Sequence, residues 1–204
     1  MPAVPHFDIR KGVTCASYLA NLQAKPYSVT NHPDPDRLER MIREISAGGV
    51  VVRHAENGWE MAVIEPQKAA PGAVPAANKR KSSQKMVLAL PKGLVDPGEK
   101  PAETAVREVR EETGVTAQIV TKLKDIKYAY VRSWGDQQRV FKIVSFYLLQ
   151  YESGKIDDID PAMRIEVQRA MWIPLTEAAT KLSYRGEREV AALAESYLNS
   201  HVEA

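Results

Sequence analysis

Five glutamates crowd between residues 99 and 112 (Glu99, Glu103, Glu108, Glu111 and Glu112), interleaved with Arg107 and Arg110. If this stretch is helical, a rotation of about 100° per residue brings Glu108, Glu111 and Glu112 within about 100° of one another, on the side away from Val106. Glu108 and Glu112 are then like-charged neighbours one turn apart, which costs a helix roughly a few tenths of a kcal/mol. A hard divalent cation would compensate, because Mg²⁺ takes carboxylate oxygens and keeps several waters. The alternative is a solvated acidic face braced by Arg107, which lies four residues from both Glu103 and Glu111. Carboxylates gathered around a cation suit an anionic substrate that is held together with that cation. The basic run Lys79, Arg80, Lys81 and Lys85 suits such a substrate.

Elements must hold these side chains in place. Ala102, Val106, Val109 and Thr113 recur at i, i+4, i+7 and i+11, so the spacing predicts a helix over 101–113 with one small apolar face. Pro101 suits its first position and Gly114 its stop. Upstream, ISAGGVVVR (45–53) reads as a strand, Asn57-Gly58 as a hairpin turn and WEMAVIE (59–65) as the returning strand. A long loop over 66–85, rich in Pro, Ala, Lys and Ser, is expected to be mobile and functional. MVLAL (86–90) predicts a third strand, ended by Pro91. Two strands follow near 117–132 and 138–151, the second apolar on both faces and therefore central. AMWIPL (170–175) predicts a last strand, and helices over 176–182 and 187–198 close the chain. Residues 1–43, with five prolines, read as an irregular arm carrying one short helix at 36–42. Residues 44–204 read as one domain. Mixed strands with a few helices predict an α/β or α+β sandwich.

The rest of the composition narrows the class. The 204 residues suit one domain plus an extension. A net charge of +2, from 28 basic and 26 acidic residues, argues against a stable nucleic-acid complex. No apolar run is long enough to span a bilayer, and MPAVPHFDIRKG has no secretory h-region. The single cysteine, Cys15, forms no internal disulfide and no Cys-rich zinc site, so a cytoplasmic location is expected.

Gly93, Glu99, Arg107, Glu108, Glu111, Glu112 and Gly114, with aliphatic Val109 and Val115, match every fixed position of the pattern G-x5-E-x7-R-E-U-x-E-E-x-G-U. A chance match at average residue usage is about 10⁻⁷ over the chain. The chain thus resembles the Nudix hydrolase family, over roughly residues 45–200. The resemblance implies an α/β/α sandwich with a mixed β-sheet and a loop–helix–loop motif. It implies hydrolysis of a nucleoside diphosphate linked to another group, with Mg²⁺, or Mn²⁺ in its place. Glu111 and Glu112 would be metal ligands, and Glu108 a further ligand or the base that activates water. Arg107 would hold a glutamate in place, and the backbone carbonyl of Lys92 would reach a metal. Glu99 would brace the loop. Glu166, shortly before the last strand, would be an additional catalytic acid.

The substrate side is read from the residues around this motif. LPKG (90–93) resembles members acting on dinucleoside or diphosphoinositol polyphosphates, with the Lys92 ammonium on a phosphate. Tyr128, Tyr130 and Arg132 alternate along one strand face, offering rings for a base and a cation for phosphate. A tyrosine at this distance resembles dinucleoside polyphosphate hydrolases; ADP-ribose enzymes usually carry a proline there, and none occurs between 116 and 160. Lys142 on the buried strand needs an anionic partner, phosphate or a glutamate. LSYRGEREV (182–190) also resembles polyphosphate-cleaving members, with Tyr184 on a base or phosphate. The expected substrate is a dinucleoside polyphosphate. The alternatives are a diphosphoinositol polyphosphate, a nucleoside triphosphate, ADP-ribose, or nucleotide sensing without hydrolysis. A homodimer is left open.

Overall fold

The structure, a computed structural model, describes residues 41–67, 86–131 and 138–201. Its spine is β1 (Ile42–Ala55), which lies parallel to β5 (Arg139–Gly154) and antiparallel to β2 (Gly58–Pro66). With β4 (Val115–Val131) and β6 (Val167–Pro174) the strand order is β4-β5-β1-β2-β6, and β3 (Lys92–Leu94) pairs antiparallel with residues 46–48 of β1. Helix α1 (Pro101–Thr113) covers one face, and α3 (Arg185–His201) the other. A short helix, α2 (Ala178–Lys181), precedes α3. The sheet is therefore mixed and sandwiched, as the sequence predicts.

Three consecutive valines show why β1 is central. Val50 and Val52 face α3, where they join Met61, Val63, Phe146, Val190 and Ala194; Val51 faces α1, where it joins Ala62, Val109, Val115 and Leu149. All three are fully buried. Successive residues of a strand point to opposite faces, so an unbroken apolar run belongs between two layers.

Three expectations change. Ile42 opens β1, paired with Val140, rather than closing a helix or lying in an arm; the remainder of the 36–42 helix, the arm 1–40 and the loop 68–85 lie outside the described residues. MVLAL makes only an isolated bridge, Ala89 to Ile64. Side chains take the donors on either side of Ala89: Leu88 N–H goes to Ser183 Oγ at 3.0 Å and Leu90 N–H to Glu187 Oε2 at 2.9 Å, while Pro91 has none. The third strand forms just beyond, at Lys92–Leu94. Finally, Thr176–Leu182 divides into a 3-10 turn (Leu175–Glu177) and α2. Among the described residues, no helix is long and apolar enough to cross a membrane.

Candidate active site

Helix α1 begins with Pro101, and its end is turned by Gly114, at φ 79°, whose N–H donates to Arg110 O at 2.9 Å. Its buried residues are Thr104, Ala105, Glu108, Val109, Glu112 and Thr113. The apolar period misses this face by one position: Ala102 and Val106 are only partly buried, and two glutamates turn inward. They are accommodated because α1 meets the end of β3, where backbone groups stand in for water. Glu112, 1% exposed, accepts the Lys92 N–H at 2.7 Å. Glu108, 7% exposed, lies against Gly93, where a Cβ would fall 2.1 Å from its carboxyl carbon. Any side chain at 93 would displace that carboxylate.

Arg107 organises the rest. Its Nε and Nη2 grip Glu99, each at 3.0 Å, and Nη2 also donates to the Leu94 carbonyl at 3.1 Å. Its Nη1 donates to Glu108 at 2.8 Å and to Glu111 at 3.0 Å. Glu103 instead accepts the Lys100 N–H at 3.0 Å at the helix start. Glu99 also accepts from Thr104 Oγ1 at 2.7 Å, and the Arg107 hydrogen bonds, foremost, hold its carboxyl down to about 2. The loop 94–99 is thereby clamped to the helix.

The inward carboxylates respond oppositely. Burial pushes Glu108 up to about 7, although Arg107 opposes the rise. Burial first, and then the Glu108 charge, push Glu112 well above the ordinary range. The charge of Glu166 adds to the rise of both, so it lies within electrostatic range of them. Glu166 follows a 3-10 turn (Pro161–Ile165) whose backbone is held by Gln67, with Gln67 N–H on Glu166 O at 2.7 Å and Nε2 on Arg164 O at 2.9 Å. Asp157, at φ 71°, accepts from Arg164 and from Ala170 N–H, and its own N–H donates to Thr113 O at 2.9 Å, so the end of α1 and this turn are tied together.

As they stand, no three acidic or imidazole groups converge on one point among the described residues. The donor set still fits a hard divalent cation. Glu108 and Glu112 are buried carboxylates whose charge burial penalises, and the half-exposed Glu111 is a turn away on the same helix.

Raised carboxyl pKa values carry a sign for stability. A carboxyl that binds its proton more tightly when folded favours folding below its unfolded pKa, and that contribution is lost as pH rises through the folded value. For Glu108 the window runs from the ordinary 4.5 to about 7, worth about 3 kcal/mol at one unit per 1.36 kcal/mol. The metal-free protein should therefore melt at a lower temperature at pH 8 than at pH 5.5. Glu108→Gln should flatten that slope in EDTA-treated protein followed by circular dichroism. An unchanged slope in the variant would remove Glu108 as its source.

The expected substrate residues fall in different places. Tyr128 and Tyr130 have ring centroids 6.3 Å apart. Tyr130 Oη donates to Glu44 Oε2 at 3.0 Å, and Lys142 Nζ lies 3.8 Å from the same oxygen. Lys142 thus has its anionic partner in Glu44, near the start of β1. Arg132 lies outside the described residues. Lys92 turns its ammonium inward, 3.2 Å from Glu187 Oε1. Tyr184 packs at the cluster of Ile64, Ala89, Val167 and Ala170. Glu44, Glu187, Asp157 and Gln67 carry no local pattern that marks them, since each acquires its partners only through the fold.

A family model described as the NUDIX domain matches residues 63–194. MutT4 of Mycobacterium tuberculosis (strain CDC 1551 / Oshkosh) is 32% identical over 160 residues, spanning 78% of this chain and 58% of that protein. The bis(5'-nucleosyl)-tetraphosphatase [asymmetrical] of Mus musculus is 33% identical over 97 residues, spanning 47% of this chain and 60% of that protein. The chain therefore spans under two thirds of the length of these relatives. A crystal structure of a C. elegans Ap4A hydrolase binary complex superposes with a TM-score of 0.52 at 18% identity, covering 77% of this chain and 98% of that one, and shares the fold.

Proposed function

The chain belongs to the NUDIX family, and from that premise we propose that it is a divalent-metal-dependent pyrophosphohydrolase whose preferred substrate is a dinucleoside polyphosphate. The observation that carries the activity is the pair of buried carboxylates, Glu108 and Glu112, seated on the backbone of Lys92 and Gly93. Glu108, Glu111 and Glu112 would hold the cation, Mg²⁺ or Mn²⁺, with the Lys92 carbonyl as a further donor. When bound, such an ion neutralises phosphate charge and lowers the pKa of a water.

The chain's own residues do the rest. Arg107, held by Glu99, fixes the directions of Glu108 and Glu111 through charge-assisted hydrogen bonds. Glu108 is either the further ligand or the base; its carboxylate is directed by Arg107, and as base it takes the proton of the attacking water. Glu166 is a second acid within reach of the same charges. Burial around Glu112 excludes competing water and strengthens each of these interactions.

For the substrate class, support comes from the likeness to the mouse tetraphosphatase and from the paired rings of Tyr128 and Tyr130. Tyr184 and Arg132 complete the proposed binding set, while Lys142 is left to Glu44. Wild-type kcat/KM across diadenosine polyphosphates, nucleoside triphosphates, ADP-ribose and a diphosphoinositol polyphosphate, each with Mg²⁺ and with Mn²⁺, tests the assignment. Preference for any of the last three sinks the substrate class and leaves the family. Tyr130→Ala should cost about 1–3 kcal/mol of binding for a base-containing substrate and leave the diphosphoinositol unchanged. Tyr130→Phe keeps the ring, so it should stay near wild type if stacking is the role. Equal handling of diadenosine polyphosphates by Tyr130→Ala and wild type would make Tyr130 a packing residue.

A further inference from the structure

Helices α1 and α3 lie on opposite faces of the sheet, yet both reach residues 90–92. Leu90 N–H donates to Glu187 Oε2 at 2.9 Å, and Lys92 N–H donates to Glu112 Oε2 at 2.7 Å. Between them Pro91 has no N–H to give. The Lys92 ammonium turns back to Glu187 Oε1 at 3.2 Å and to the Leu90 carbonyl at 3.3 Å. Glu112, Glu187 and Lys92 are 1%, 4% and 7% exposed. The segment is thus suspended between two buried carboxylates, one from each helix.

A buried ion pair is weak evidence for stability, because apolar residues of the same volume often serve as well. What this pair does is geometric. It pins the Lys92 side chain to α3, which leaves the Lys92 amide aimed at Glu112 and the adjoining Gly93 backbone against Glu108. We infer that Glu187 is a positioning residue for the active site: through Lys92 it sets the backbone seat on which the Glu112 and Glu108 carboxylates rest. The inference rests on the reading of Glu112 as a metal ligand. It also gives Lys92 a different task from phosphate binding.

The test compares Glu187→Gln, Glu187→Leu, Lys92→Met and the double variant K92M/E187L with wild type. Mg²⁺ binding is read by calorimetry and by Mg²⁺-dependent melting, neither of which needs turnover; kcat and KM are read on a diadenosine polyphosphate. Outer partners of metal ligands are typically worth about 10-fold or more in affinity or activity. Each single variant should weaken Mg²⁺ binding about 10-fold and lower kcat about 10-fold, with KM within about twofold. The double should be no worse than the worse single, because both act through one contact. Glu187→Gln keeps the volume and an acceptor for Leu90 N–H, and so guards against a merely unfolded result. Wild-type Mg²⁺ affinity in both Glu187 variants overturns the inference. So does a Lys92→Met effect confined to KM that grows with phosphate chain length, which would make Lys92 a phosphate ligand. If wild type itself binds no Mg²⁺, the reading of Glu112 falls and this inference with it; if only the variants are unaffected, the inference falls alone.

Discussion

Glu112→Gln and Glu111→Gln should each lower kcat by at least ~10²-fold while the fold survives. The two positions differ in environment, which makes the pair informative. Glu112 is buried against the Lys92 amide, whereas Glu111 is half-exposed and held by Arg107 at 3.0 Å. Glutamine keeps the shape and one acceptor at either site but removes the negative charge that a cation needs. At 112 it also removes a charge that burial disfavours. Metal-free Glu112→Gln should therefore melt no lower than metal-free wild type above neutral pH, yet gain less from added Mg²⁺. Near-normal turnover of both variants in excess Mg²⁺ would remove the metal assignment.

Gly93→Ala should lower kcat by about 10²-fold, the scale on which a displacement of about 1 Å acts at a reacting centre. The added Cβ would sit 2.0–2.2 Å from the Glu108 carboxyl atoms. The end of a glutamate side chain gives way more easily than backbone does, so the fold should persist and the carboxylate should move. Gly114→Ala supplies the contrast. There the Cβ would meet the carbonyl oxygens of Asp158 and Lys155 at 2.6 and 2.7 Å, at φ 79°. Backbone cannot retreat in that way, so the loss should appear in the melting temperature first. Circular dichroism melts beside kcat separate the two. A Gly93→Ala enzyme with wild-type kcat would mean that Glu108 works from another position than the one it occupies here.

Local sequence determined what depends on neighbours along the chain. The spacing of Pro101 to Gly114 specifies a capped helix, because 3.6 residues per turn and an αL stop are local properties. Val50 to Val52 specify a strand buried on both faces, since alternation has period two. The Asn57-Gly58 turn, the central place of β5 and the acidic cluster were legible for the same reason. MVLAL misled because its pattern suits a strand, while the donors on either side of Ala89 are claimed by Ser183 and Glu187, over ninety residues away.

Tertiary structure alone decided which acid is which. Helix periodicity places Glu108, Glu111 and Glu112 on one side, and only packing against Lys92 and Gly93 buries two of them and leaves the third beside Arg107. Proton affinity follows burial first, which packing decides, and then nearby charge, which comes from the helix's own Arg107, Glu108 and Glu111 and, across the fold, from Lys92 and Glu166. The same holds for Lys92 with Glu187 and for Lys142 and Tyr130 with Glu44. A residue's type and spacing set what chemistry it is able to do, but a charge needs a partner within a few ångströms, and which partner arrives is settled by how the strands and helices close on one another.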